Sequence, residues 1–341
     1  MLEVVRTLAD ATAALGVPTA VLCGRRPETP VNLEREFDKR VRVVEVQRWG
    51  ERELGPSLRG LLRAARALRR ELASHESGIV HLHSSYAGFV GRIAVGRGWR
   101  VFYSPHGYSW QYESIPPLAR KLARVSESVL GRRGRTMAVS QAEGRLAAEL
   151  VGGDRVVVVQ TGVDLPPLSP GRPADGRFVI ALFGRAGVHR RPLLVGELAR
   201  RLGADPGVEL VWIGDGPERA TLERAGVVVR GWVGREDLIA ALSGADAVLH
   251  LSAYEGFPVA VLEAMAAAKP VVASDLPPIR EALGDAGVLV TGLDEAELAL
   301  RRFRSEPAVR AELGKKARAR VEQRFTKERM VGETLAAYGL D

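Results

Sequence analysis

Strand-like apolar runs alternate with helix-like segments along almost the whole chain, and no other feature limits the fold so tightly. In the first half the runs are 18–24 (PTAVLCG), 40–47 (RVRVVEVQ), 78–84 (GIVHLHS), 100–107 (RVFYSPHG), 135–141 (RTMAVSQ) and 155–162 (RVVVVQTG). Helices are expected at 57–74, 85–97, 116–133 and 141–151. In the second half the runs are 178–184, 208–216, 227–232, 246–252, 269–274 and 286–292, with helices at 191–202, 217–225, 235–243, 258–268 and 277–283. Beyond residue 294 the pattern is almost wholly helical. Near-continuous apolar strands joined by helices predict parallel sheets covered on both faces.

Residues 162–176 (GVDLPPLSPGRPADG) interrupt this rhythm with Pro and Gly and no periodicity, as an interdomain linker does. The expected architecture is α/β, with two doubly wound, Rossmann-like domains facing across a cleft, at 1–164 and 165–325. Ligands of such sheets bind outside the carboxyl ends of the strands. A doubly wound domain ordinarily opens with a strand and a Gly-rich turn, whereas residues 2–16 (LEVVRTLADATAALG) are helix-like. The first strand of the N-terminal domain is therefore expected to be missing.

The 341 residues are 46% hydrophobic, enough for two sizeable cores. No run of 18 apolar residues occurs, so no spanning helix is expected, and the N-terminus lacks the pattern of a secretory signal. The lone cysteine, Cys23, has no partner in the chain and sits in an apolar run, which fits a reducing cytoplasm. Of 49 basic and 41 acidic residues, 25 and 17 fall in residues 1–164, leaving 24 and 24 beyond. The whole +8 excess belongs to the first domain and favours anionic partners there. With no zinc spacing and no basic-aromatic interleaving, nucleic acid is not expected.

The chemistry concentrates in 252–274 (SAYEGFPVAVLEAMAAAKPVVAS). The run 246–252 is a buried strand, so 253–257 is the loop at its carboxyl end. Pro258 suits a first helical position, and a helix N-terminus suits a phosphate. Gly256 permits close backbone approach. Glu255 sits in the loop and Glu263 about one and a half turns into the helix. Two such carboxylates can grip two sugars on either side of a phosphate. The plainer alternatives are a helix-start acid and a solvated helix position, although the Ala- and Val-rich flanks leave a carboxylate there in need of a partner.

EGFPVAVLE resembles the E-x7-E signature of retaining glycosyltransferases of the GT-B fold, in the large family 4 (group 1). AMAAAKPVVASDLPPIREAL, HLHSSYAGFVGRIA, YSPHG, AVSQAE, QTGVD, FGR and GDGPER resemble further family segments. The resemblance implies a nucleotide-sugar donor on the second domain, an acceptor mainly on the first, and no metal or other cofactor. It also implies that Glu255 binds the transferred sugar and Glu263 the ribose diol. Backbone around Gly256, Phe257, Pro258 and Val259 would meet the diphosphate, with Pro258 lacking an N–H to contribute. In FGRAGVHRRP, Gly184, Arg185 and Arg190 would meet the diphosphate too. The family has Lys where this chain has Arg190, and the adjacent His189 and Arg191 leave that register open by one. His106 in YSPHG would lie near the sugar, hydrogen-bonding a hydroxyl rather than acting as a general base. The strand end at Gly231–Val233 would lie near the base. The helix at 326–341 would cross back to pack on the first domain.

Other features are weaker. His81 and His83 point the same way from one strand. No third ligand follows at useful spacing, so a place near the acceptor is preferred to a metal. Gly214 and Gly216 mimic a dinucleotide fingerprint, but Arg219 stands where its third glycine belongs. The segment 57–74 sets Leu58, Leu61, Leu62, Ala65 and Leu68 against Arg59, Arg63, Arg66, Arg69 and Arg70. It reads as a covering helix or as a peripheral membrane contact bringing a cytoplasmic enzyme to a lipid-linked acceptor. The expected activity is retaining transfer of a sugar from a nucleoside diphosphate sugar to an acceptor hydroxyl of a surface polysaccharide, lipid-linked molecule or secondary metabolite. The rivals are a GT-B epimerase or a phosphorylase, the latter needing pyridoxal phosphate on a lysine, and a non-catalytic nucleotide-sugar-binding partner.

Overall fold

A computed structural model describes residues 1–25, 29, 32–46, 58–112, 115–168, 176–205 and 207–340. The chain forms two compact units, Met1–Gln160 with Glu328 onward, and Thr161–Lys327.

The first unit runs α1 (Leu2–Ala14), β1 (Thr19–Cys23), β2 (Val41–Glu45), α2 (Leu58–Leu72), β3 (Gly78–His83), α3 (Ser85–Ala94), β4 (Trp99–Ser104), α4 (Pro117–Leu130), β5 (Arg135–Ala138), α5 (Gln141–Val151) and β6 (Val156–Val158). All pairings are parallel, in one sheet ordered β3-β4-β5-β6 and a separate pair β1-β2. The helix α1 packs on both. Its Ala9 and Ala13 join Phe37 and Val41 beside β1 and β2, while its Val4 and Leu8 join Phe102, Met137 and Val159. Among the described residues no strand links β1 to β3, and the chain opens in a helix as its sequence implies. Cys23 packs among these apolar residues, and burial pushes its thiol up to about 11.

The second unit runs β7 (Phe178–Phe183), α6 (Pro192–Leu202), β8 (Val208–Ile213), α7 (Arg219–Arg224), β9 (Val228–Val229), α8 (Arg235–Gly244), β10 (Ala247–His250), α9 (Val259–Ala266), β11 (Val271–Ser274), α10 (Pro277–Leu283), β12 (Val288–Val290), α11 (Leu293–Ser305) and α12 (Pro307–Arg324). Its single parallel sheet is ordered β12-β11-β10-β7-β8-β9. The chain winds outward from β7 through β8 and β9, then returns to β10 and winds the other way. The central strands are buried at every position, FVIALF in β7 and AVLH in β10, as helices on both faces require. The winding reverses between β7 and β10, and a doubly wound sheet takes its ligand beside that reversal.

The units meet the chain at slightly different points from those expected. Val163 N–H donates to the Phe325 carbonyl and bridges Thr326, which assigns residues from 161 to the second unit. Gly162 is held so close that a Cβ would lie 2.1 Å from the Thr326 carbonyl oxygen. The start of the expected linker is thus packed chain; 169–175 lies outside the described residues. The last helix, α13 (Lys327–Tyr338), packs Met330 and Tyr338 into the first unit's core, and Arg100 donates to the Tyr338 carbonyl at 2.6 Å.

Candidate active site

The loops leaving β7 and β10 hold the second unit's chemistry. After β7 the chain turns at Gly184, whose φ of 112° is disfavoured for other residues. The Gly184 carbonyl accepts from Trp212 Nε1 at 3.0 Å, and a Cβ on Gly214 would lie 2.1 Å from it. Only glycine at 214 leaves that approach open. A short 3-10 turn, Val188–Arg190, precedes α6. The His189 carbonyl accepts the Ala253 N–H at 2.8 Å, fastening the β7 loop to the β10 loop. This stitch turns Arg190 inward: its Nη1 lies 2.6 Å from Glu255 Oε1, with both side chains largely buried. Of the adjacent arginines it is therefore Arg190 that meets Glu255, while Arg191 takes φ 51° at the start of α6. Arg185 lies in the same loop, close enough to help depress the His189 imidazole, which burial lowers to about 4.

A third group completes this cluster. His250, the last residue of β10, places Nε2 2.8 Å from Glu255 Oε1 and 2.5 Å from Arg190 Nη1. Burial raises the Glu255 carboxyl, but Arg190 and the hydrogen bonds from His250 and Ser252 outweigh it and hold the group at about 2. Glu255 is therefore an ionised acceptor. Burial and Arg190 both push His250 down, so its imidazole is neutral.

Glu263 faces a second arginine. Its Oε1 takes a short contact from Arg235 Nη1, at the start of α8, and Arg235 reaches Asp164 at 3.3 Å. Lys327 Nζ meets the same Asp164 at 2.7 Å. Glu263 is neither a solvated position nor an isolated acid. Two expectations for this helix are corrected. Pro258 is the N-cap of α9 rather than its first residue, and the Val259 N–H is already given to the Phe257 carbonyl at 3.0 Å. The Phe257 ring is a buried anchor, tilted against Phe325 with centroids 5.5 Å apart. Gly231, with φ 76°, bridges Gly214 at the end of β8. Trp232 and Val233 beside it are exposed apolar side chains.

In the first unit the histidines collect at the carboxyl ends of β3 and β4. His83 Nδ1 lies 2.9 Å from His106 Nε2, and the rings stack. His106 adopts φ 54°, a left-handed turn uncommon for a side-chain-bearing residue. Glu143 secures that turn, accepting the Gly107 N–H at 2.6 Å and the Val139 N–H at 2.9 Å. Burial depresses all three imidazoles, with His83 near 3. His81 does not share the role of His83. Its two nitrogens are engaged by the Tyr338 hydroxyl and by Ser104 Oγ at 2.8 Å, which makes it a fastening for α13 rather than a sheet-end site.

His250, Arg235 and Glu143 escaped the sequence reading. His250 left a trace, a histidine closing the otherwise apolar run AVLH; Arg235 left none, since only the fold brings it to Glu263. Lys269, the only lysine in residues 165–300 and so the candidate for the pyridoxal Schiff base that a phosphorylase needs, donates to the Ser243 and Ala245 carbonyls at 2.8 Å each. It caps the end of α8, and the phosphorylase reading loses its lysine.

Comparison with known proteins identifies the family and the fold. Residues 3–166 match the model for "Glycosyltransferase Family 4", and residues 177–301 match that for "Glycosyl transferases group 1". A phosphatidyl-myo-inositol mannosyltransferase of Mycolicibacterium smegmatis is 30% identical over 68% of this chain and 62% of its own length. A D-inositol 3-phosphate glycosyltransferase of Nocardia farcinica is 29% identical over 65% of this chain and 57% of its own. The chain thus spans less than two thirds of either relative. Among solved structures, sucrose-phosphate synthase of Thermosynechococcus elongatus superposes with a TM-score of 0.82 at 20% identity, over 98% of this chain and 92% of that one. Anabaena HepE, solved with UDP and glucose, superposes with 0.77 at 19% identity, over 98% and 95%. The fold is that of GT-B glycosyltransferases.

Proposed function

The chain belongs to the family 4, group 1 glycosyltransferases, and we propose that it moves a sugar from a nucleoside diphosphate sugar to an acceptor hydroxyl with the anomeric configuration retained. The Arg190–Glu255 pair carries this reading. It joins the two loops at the winding reversal of the second sheet, where a doubly wound domain takes its ligand. Arg190 and Arg185 supply positive charge for a leaving diphosphate, and such fixed charge is a principal means of lowering the barrier. Glu255, ionised and buried, accepts from sugar hydroxyls. Glu263 accepts from the ribose diol while retaining Arg235, since a carboxylate offers roughly four acceptor positions. No step requires a metal.

The named relatives act on inositol derivatives, one of them lipid-linked, and an anionic or lipid-linked acceptor suits the basic first unit. No helix among the described residues is long and apolar enough to cross a membrane, so contact with a lipid acceptor would be peripheral.

The test is thermal unfolding of the wild type and of Glu263→Ala with UDP, GDP, ADP and dTDP. A nucleotide at 100 times its dissociation constant adds about 2.7 kcal/mol. Losing a charged hydrogen bond in Glu263→Ala removes roughly 1.5–3 kcal/mol of binding. The expected result is one nucleotide that stabilises the wild type and fails with the variant. No shift with any of the four overturns the reading.

A further inference from the structure

Within that reaction one buried side chain has no assigned part. His250 is 4% exposed. Ala247 and Leu249 of the same strand enter the main core, and alternation turns His250 to the other face, where it meets Glu255 and Arg190. The three atoms Arg190 Nη1, His250 Nε2 and Glu255 Oε1 form a triangle with sides of 2.5, 2.6 and 2.8 Å.

That triangle contains a conflict. A neutral imidazole nitrogen carries either a proton or a lone pair. With a proton, Nε2 donates to Glu255 and confronts the Arg190 N–H. With a lone pair, it accepts from Arg190 and confronts the carboxylate. At Nε2 neither tautomer satisfies both neighbours while Arg190 stays in place; with the proton on Nε2 the imidazole's lone pair is on Nδ1, which Arg190 Nη1 reaches only at the longer distance of 3.3 Å. A second observation bears on where Arg190 goes. Its Nε is buried and has no hydrogen-bond partner among the described residues. The guanidinium therefore still has a donor to place, and it sits beside Gly184 in the loop of the winding reversal. An anion drawing on that donor and on Nη1 would take Arg190 off Glu255 and end the conflict, leaving Nε2–H to donate to the carboxylate alone.

Resting on the proposed transfer reaction, we propose that His250 is the positioning residue for Glu255. As the donor's diphosphate draws Arg190 away, His250 Nε2–H stays with the carboxylate and keeps it ionised and aimed at the sugar. Arg190 is then an exchangeable partner and His250 a permanent one. Leucine at 250 would fill the space and leave Glu255 without that donor; glutamine would restore an N–H at similar reach.

The experiment measures nucleotide release from UDP-glucose, GDP-mannose, ADP-glucose and dTDP-glucose, without acceptor, by the wild type, His250→Leu and His250→Gln. Melting temperatures and nucleoside diphosphate affinity are measured alongside. On the donor that the wild type cleaves, His250→Leu is expected to lose at least tenfold in kcat. KM and nucleotide affinity should stay within about threefold, and His250→Gln should recover most of the loss. Wild-type kcat in His250→Leu overturns the inference while leaving the transfer reading intact. Equal kcat losses in both variants, tracking a lowered melting temperature, also overturn it, because His250 would then be packing only. A wild type that cleaves none of the four and binds no nucleoside diphosphate refutes the transfer reading, and this inference falls with it.

Discussion

Glu143 offers a test in which pH and structure must agree. It is 3% exposed, and its two oxygens tie the turn after β4 to the turn after β5. Burial drives its carboxyl up to about 7 from an ordinary 4.5, against the two backbone hydrogen bonds that pull it down. Below pH 4.5 the folded and unfolded chains both hold the proton. Between 4.5 and 7 the folded chain keeps a proton that the unfolded chain has released. The contribution to stability is therefore complete below about pH 4.5, falls as pH rises, and is gone above about 7. At 1.36 kcal/mol per unit, the loss between pH 5 and pH 8 is on the order of 2–3 kcal/mol. Glu143→Gln removes the ionisation. Its amide has one oxygen for two N–H groups, so one buried donor goes unmet, at a cost of about 1–3 kcal/mol at every pH. Urea unfolding of both proteins at pH 5 and pH 8, at constant ionic strength, gives the difference between them. The wild type's advantage should shrink by roughly 2–3 kcal/mol at the higher pH. A difference that is constant between the two pH values would refute the reasoning, since no proton would then be coupled to folding at this site.

The first unit holds a second buried charge, Arg92, whose Nη2 lies 2.7 Å from Glu127 Oε2 and whose guanidinium stacks 4.1 Å from the Tyr103 ring centroid. Arg92→Leu strands the Glu127 carboxylate and should cost about 3–5 kcal/mol, whereas Arg92→Leu with Glu127→Leu should recover most of it; urea unfolding of the two variants checks this, and equal losses would refute it. On α2, Leu58 and Leu62 are exposed together with Arg59, Arg63 and Arg66, so Arg63→Glu with Arg66→Glu should abolish sedimentation with phosphatidylserine vesicles at low salt, at about 1 kcal/mol per basic residue removed. Retained sedimentation would show that α2 only covers the sheet.

Fold class was legible because parallel strands buried on both faces must be apolar throughout, and helices between them must carry a stripe. The expected α5 and α10 coincide with the observed helices, and 57–74 differs from α2 by one and two residues at its ends. Partners were not legible, because periodicity reports which way a residue faces and not what it meets. His81 and His83 share a face. Yet Tyr338, 257 residues away, engages only His81, and the left-handed turn at 106 brings a ring only to His83. The same limit hid Arg235 from Glu263. The E-x7-E spacing marked the acids, and only the fold named their cations.

Those cations explain why two acids can lie on so apolar a segment. A carboxylate taken out of water without compensation costs several kcal/mol, and sugar hydroxyls, being neutral, do not balance its charge. An acid meant to bind sugar in a buried place must therefore be neutralised before the ligand arrives. Glu255 meets this demand with Arg190 and His250, and Glu263 with Arg235. The two solutions differ in what the ligand does to them. The Arg235 pair lies on α8 and α9 and can persist, because a ribose diol adds to the carboxylate without competing for the arginine. In the proposed reaction an anion would compete directly for the Arg190 guanidinium, and there the chain has placed a second, neutral donor, His250. The presence of His250 beside Glu255 follows the chemistry of the ligand groups that this acid is proposed to hold, a sugar next to a diphosphate.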